Sequence, residues 1–275
     1  QYEIVSLIEP NINDITLAKI ETKFGNFDLA VNKLIDLCNN PKSKRNRKYS
    51  ALRALSNIYY KIGKVNKIIE TSEEAYKLDP TWPLTAMEDA VALAKIYIKM
   101  KNEKAANEVL DKVKQIFPAE EKSFLGSFMN VFKANLHLER NDFEKVKQII
   151  LEIEKLIQEM GFKVLIGEKE RVLAEFYEKK GEWENALEHH YLSAETPPGW
   201  GWEPAVRDLT GIGRCHRELK EYNQSVESLL DFLKLDPYDP RVHYELALSY
   251  NEMKNSDKAL EHIQVAVDVW KDADA

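Results

Sequence analysis

Glycine is scarce in this chain, at 10 of 275 residues, about half the usual share of roughly 7%. That excludes collagen-like and glycine-rich architectures, and with Ala, Leu, Glu and Lys abundant it favours helix throughout. Cysteine is scarcer still. Cys38 and Cys215 are too few and too far apart for a disulfide framework or a paired-cysteine metal site, and both are expected to act as small buried hydrophobes. No run approaches 18 consecutive apolar residues, so no membrane span is expected. No basic-then-apolar leader opens the chain. The first residue, Gln1, and the ending Trp-Lys-Asp-Ala-Asp-Ala suggest a removed leader or a longer parent protein.

A positive charge excess is also missing. The 39 Lys and Arg against 46 Asp and Glu leave a net charge of −7, which argues against nucleic acid as the partner. Pro41–Lys48 reverses the sign locally with five basic residues and no acid, and is read as a solvated inter-helix loop, the other reading being a contact for phosphate or an acidic partner. With 44% hydrophobic and 31% charged residues the chain is globular rather than disordered, fibrous or membrane-embedded.

What is present is a repeat. Prolines at 10, 41, 80, 83, 118, 197, 198, 204, 237 and 240 bound stretches of 3.6-residue periodicity, as residues that begin or end helices do. Ile212-Gly213, His216, Tyr222, Ser225, Leu229, Phe232 and Pro237 recur 34 residues later as Leu246-Ala247, Tyr250, Ser256, Ala259, Ile263, Ala266 and Lys271. Leu173-Ala174, Tyr177, Gly181, Trp183 and Ala186 carry the same signature most fully. Upstream the frame runs through Leu17-Ala18, Gly25, Phe27 and Ala30, then Leu55, Tyr59, Gly63 and Ala75, then Leu93-Ala94, Tyr97 and Ala106. In the fourth copy Lys133 stands where a large apolar residue is expected.

These residues resemble the tetratricopeptide repeat (TPR), in which a large apolar residue sits beside a small one, followed by an aromatic, a turn glycine, a second aromatic and alanines. The resemblance implies an all-α fold, a right-handed α-α superhelix or TPR solenoid of about seven helical hairpins, of a bacterial-type array. Residues 1–10 form a lead-in, 11–271 the array, and 272–275 a truncated end. Repeats start near 11, 49, 87, 127, 167, 206 and 240, with a mean spacing of about 38 residues. Each pair buries its apolar face only by stacking on its neighbours.

No catalytic constellation emerges, and the chain is expected not to be an enzyme. His189-His190 has no ligand-type residue one turn away on its own helix. Cys215 and His216 point about 100° apart on a helix, which disfavours a nucleophile and base pair. Gly211-Ile-Gly213 lacks the preceding strand and third glycine of a phosphate loop, and Gly213 fits a packing role. No cofactor and no metal site are expected.

In the family it resembles, the first helix of each pair lines a concave surface that holds peptides or small domains. The matching positions here are Arg53, Asn57 and Tyr60; Phe128, Val131, Phe132 and Asn135; Arg171 and Glu175; Arg207, Arg214 and Arg217; and Arg241, Tyr244 and Asn251. The C-terminal arginines suit an acidic segment or a chain terminus, since guanidinium grips carboxylate in a bidentate fashion. The other reading is that Arg214 and Arg217 pair internally with Glu218, Glu245 and Glu252. The apolar positions of the fourth repeat form either a pocket or part of the core. Arg53 and Asn57 resemble the start of a chaperone-tail carboxylate clamp, but Ala92, Phe128 and Phe132 break it. Trp200 and Trp202, in the insertion Pro197-Pro-Gly-Trp-Gly-Trp202, either cap adjoining hairpins or form a docking spot.

The expected function is a non-enzymatic scaffold for a protein or peptide partner. The alternative is a sensory or regulatory module of a larger bacterial signalling protein, or an accessory domain of an enzyme. Self-association, compartment and partner identity stay open.

Overall fold

The computed structural model describes residues 14–78, 94–116, 124–161, 164–196 and 204–274. Every regular element among them is an α-helix: α1 Asp14–Lys23, α2 Phe27–Asn39, α3 Arg45–Lys61, α4 Val65–Leu78, α5 at 94–99, α6 Glu103–Ile116, α7 Phe124–Glu139, α8 Phe143–Met160, α9 Val164–Lys180, α10 Trp183–Glu195, α11 Pro204–Glu218, α12 Tyr222–Leu233, α13 Pro240–Glu252 and α14 Ser256–Trp270. They pair in order as seven helical hairpins. The loop expected over Pro41–Lys48 is shorter than the basic run that suggested it, because α3 already begins at Arg45. Arg47, one turn in, pairs with Asp14 of α1 at 2.8 Å.

One local device closes all seven hairpins. Gly25, Gly63, Lys101, Asn141, Gly181, Lys220 and Lys254 each take positive φ, between 57° and 76°. At each turn the next residue's N–H reaches back to a carbonyl five residues earlier, as from Asn26 to Glu21 (2.9 Å), Asn102 to Tyr97 (2.8 Å), Glu221 to His216 (2.8 Å) and Asn255 to Tyr250 (2.9 Å). This left-handed C-cap satisfies carbonyls that the end of a helix orphans. That same residue's carbonyl then accepts the first bond of the second helix, as Asn26 does from Ala30 and Glu221 from Ser225. Glycine adopts the turn geometry freely, whereas an L side chain costs about 1–2 kcal/mol there.

Contacts divide the chain into two compact units, one comprising Gln1–Thr81, Asp236–Pro240 and Val265–Ala275, the other Trp82–Leu235 and Arg241–Gln264. In the first, Tyr49, Leu52 and Ala75 form a core between α3 and α4. Its turn at Gly63 is clasped from the C-terminal segment. Trp270 donates from Nε1 to the Lys61 carbonyl (3.0 Å), the Asp274 amide donates to the Gly63 carbonyl (2.9 Å), and an Asp274 carboxylate oxygen accepts from the Asn66 amide (2.8 Å). That carboxylate therefore caps the start of α4, where unpaired amides favour an anion.

Among the described residues the second unit holds the largest core, with Phe128, Val131, Phe132, Ile149, Ile150, Ile153, Leu165, Val172 and Phe176 contributed by α7, α8 and α9. Small residues let its helices approach closely. Ala94, Ala134 and Ala174 are fully buried, and a Cβ on Gly213 would lie 2.4 Å from Cγ of the buried Leu229. Lys133, which broke the apolar pattern, is exposed and donates to Asn130. Another small core joins α12 to α13 through Leu229, Phe232, Val242, Leu246 and Tyr250.

Candidate partner-binding face

In the second unit the first helices of successive hairpins meet through a ladder of opposite charges. Lys95 of α5 donates to Asn135 of α7 at 2.9 Å and lies 3.9 Å from Glu139 of α7 and 3.5 Å from Glu175 of α9. Lys179 of α9 approaches the same Glu139 at 3.8 Å. One helix further on, Arg214 of α11 donates from Nη1 to Glu178 of α9 and from Nε to Glu245 of α13, both at 2.8 Å. A single guanidinium thus joins three consecutive hairpins. Arg217 lies one turn along and takes Glu218 (2.7 Å) and Glu245 (3.1 Å), while its Nε is buried without a hydrogen-bond acceptor.

The electrostatics follow from burial and pairing together. Burial opposes the charge on Arg214, but Glu178 and Glu245 more than offset it and hold the side chain protonated. On α9, Arg171 pairs with Glu168. Burial opposes the charge on Glu170 too, yet hydrogen bonds from His189 (2.6 Å) and Lys169 hold its carboxyl below the usual range. Interactions of this kind, half-shielded from water, resist screening better than exposed pairs.

The candidates named from the sequence divide into four groups. Asn135, Arg171, Arg214 and Arg217 enter the charged ladder or pair beside it, and Arg214 and Arg217 make the internal pairs with Glu245 and Glu218 that formed the other reading of them. Glu178, the strongest partner of Arg214, was missed because it lies 36 residues away on the neighbouring repeat. Tyr244 and Asn251 are exposed on α13, with Arg241 half-buried one turn before them. In the first unit α3 likewise exposes Asn57 and Tyr60, with Arg53 half-buried. Phe128 and Phe132 require correction: they are buried with Val131 in the core of α7 to α9 rather than open to a partner, because α7 is covered by both α8 and α9. Trp200 and Trp202 lie outside the described residues, as does the side chain of Arg207.

The remaining polar clusters carry no acid-base machinery with an accessible nucleophile among the described residues. Burial, reinforced by Glu178, pushes the Cys215 thiol up to about 12, and burial raises Cys38 to about 11. His189 stacks flat on Tyr177 at 5.2 Å, and His262 likewise on Tyr250 at 5.5 Å. Among the described residues no helix is long and apolar enough to cross a membrane.

Hairpins of this size, with small packing residues and a shared turn, define a helical-repeat protein. Residues 209–239, the α11–α12 hairpin and its exit, match the model of the tetratricopeptide repeat. That hairpin matches a tetratricopeptide repeat, and the other described hairpins share its helix–turn–helix plan. Among solved structures it is similar to a chain of the APC/C hetero-tetramer Cut9-Hcn1, with a TM-score of 0.52 and 16% identity over 98% of this chain and 48% of that one. It is also similar to BtubC from P. vanneervenii, with a TM-score of 0.50 and 16% identity over 80% of this chain and 91% of that one. The chain therefore spans about half the length of the first and most of the second. Comparison with curated protein sequences gives no significant match.

Proposed function

We propose that this protein is a non-enzymatic scaffold that takes a protein or peptide segment along the first helices of its second unit. A tetratricopeptide-repeat array suggests an interaction scaffold, and the observation that carries the reading further is the position of Arg214. Its side chain is 35% exposed while it bridges glutamates from the hairpins on either side. A rigid, pre-paired guanidinium presents charge without losing rotamer freedom on binding. Arg217, one turn along α11, places a second guanidinium at this end of the face. An acidic segment fits this end of the face, with Tyr244 and Asn251 of α13 beside it as an amphipathic ring and an amide.

The test uses a substitution that leaves the ladder intact. Asn251→Ala removes an exposed side chain of α13 and should leave the melting temperature within a degree or two, while partners captured by the wild type are lost. Capture of the same partners by both proteins would overturn the reading. Binding of an acidic segment should also weaken as salt is raised, since charges at the surface are screened over about 8 Å at physiological ionic strength.

A further inference from the structure

Behind the charged ladder, three helices of the second unit bring unlike donors together. Glu178 of α9, His190 of α10 and Cys215 of α11 place one ligand atom each within 4.8 Å of one another. Oε1 of Glu178 is their common centre, 2.8 Å from Nε2 of His190 and 4.0 Å from Sγ of Cys215. His190 and Cys215 are buried, and Glu178 is nearly so. The imidazole occupies its place because residue 211 is glycine: a Cβ there would sit 2.2 Å from Cε1 of His190. Cys215 lies one turn beyond Gly211 on the same face of α11, so that helix supplies both the space and the sulfur.

We propose that Glu178, His190 and Cys215 form a three-ligand site for a borderline divalent metal ion, with Zn²⁺ as the ion that suits it. One carboxylate oxygen, one imidazole nitrogen and one thiolate make a donor set that suits zinc and not Mg²⁺ or Ca²⁺, which take all-oxygen shells. Zinc bonds of about 2.0–2.3 Å place ligand atoms roughly 3.3–3.8 Å apart in a tetrahedron, so the atoms need shift by about an ångström or less. Arg214 holds the other oxygen of Glu178 at 2.8 Å, the outer partner that orients a coordinating carboxylate. Charge balances at the site, because a divalent ion meets one carboxylate, one thiolate and a neutral imidazole. Binding releases the thiol proton to solvent, and the fourth position is left to water. Sequence reasoning looked for ligands along one helix, whereas these three arrive from three.

Cobalt(II) is the probe, because thiolate ligation gives it a charge-transfer band in the near ultraviolet that oxygen and nitrogen ligands do not. A Cys38→Ser variant retains Cys215 as its sole thiol, so the experiment does not depend on mutating the site. Titrating that full-length variant with Co²⁺ should give the band at one ion per chain, with loss of the band on adding Zn²⁺ and none on adding Mg²⁺. His190→Gln in the same background, with helix content checked by circular dichroism, should weaken Co²⁺ at least tenfold. Absence of the charge-transfer band in the Cys38→Ser protein would overturn the proposal, as would an unchanged affinity in folded His190→Gln. Should His190→Gln fail to fold, the band and its displacement by Zn²⁺ in the Cys38→Ser protein decide the matter alone.

Discussion

The seven turns let single residues be judged against one another, since each faces the same backbone demand with a different side chain. Lys220 and Lys254 hold φ of 65° and 58° where Gly63 and Gly181 hold 74° and 72°. Both lysines are exposed, so replacing them removes strain and no packing. Lys220→Gly and Lys254→Gly should each stabilise by about 0.5–1 kcal/mol, the relief of left-handed strain less the extra freedom of glycine in the unfolded chain. Urea denaturation reads this as a raised midpoint with unchanged slope, and a lowered midpoint would contradict it. The reverse holds at Gly213, where a methyl group would press on buried Leu229. Gly213→Ala should cost about 1–3 kcal/mol, and a neutral result would mean that α11 and α12 separate more easily than their contact implies.

At the scale of elements, two contacts between distant segments offer tests. The carboxylate of Asp274 caps α4 from the far end of the sequence, so Asp274→Ala should lower stability by about 1 kcal/mol while Asp274→Asn should retain much of it. Equal losses would show that the backbone bond to Gly63 carries the contact. In the second unit α13 and α14 meet through His243 and His262, whose Nδ1 atoms lie 2.9 Å apart. Burial and the neighbouring His243 depress the affinity of His262 for a proton, with Lys258 acting the same way and Glu261 opposing them. The unfolded chain therefore binds the proton more readily, and stability is full above the ordinary histidine range and falls as pH drops through it. Melting temperature should decline from pH 7.5 to 5.5, and His262→Gln should flatten that decline. The hairpins themselves were legible in the sequence, because their apolar spacing, paired small residues and three turn glycines are local signals. The other four turns were not, since Lys101, Asn141, Lys220 and Lys254 are ordinary polar residues until their backbone is seen. Nor was the pairing of Arg214 with Glu178 or the meeting of His190 with Cys215, which depend on how one repeat stacks on the next. Phe128 and Phe132 were misplaced for the same reason: periodicity marks an apolar face but not how many neighbours cover it.

Among the described residues, burial is unevenly shared. The core spanning α7, α8 and α9 joins twelve buried residues, against four for the cluster around Ala94 and three for that around Tyr49. Opening free energies should follow this distribution, with amides of residues 124–180 exchanging slowest by hydrogen-exchange mass spectrometry. Uniform protection along the chain would instead indicate a single cooperative transition. The turns add a different consequence. Their positive-φ residues stand 38, 38, 40, 40, 39 and 34 residues apart, and the backbone bond that closes each turn spans five residues of its own hairpin. That closing bond is internal to the hairpin, even at Gly63, where Trp270 and Asp274 add contacts from outside it. A hairpin is therefore a self-punctuated word: one can be duplicated, lengthened or deleted between two turns without rewriting the grammar of the others, and array length becomes a variable that selection or design can adjust separately from local folding.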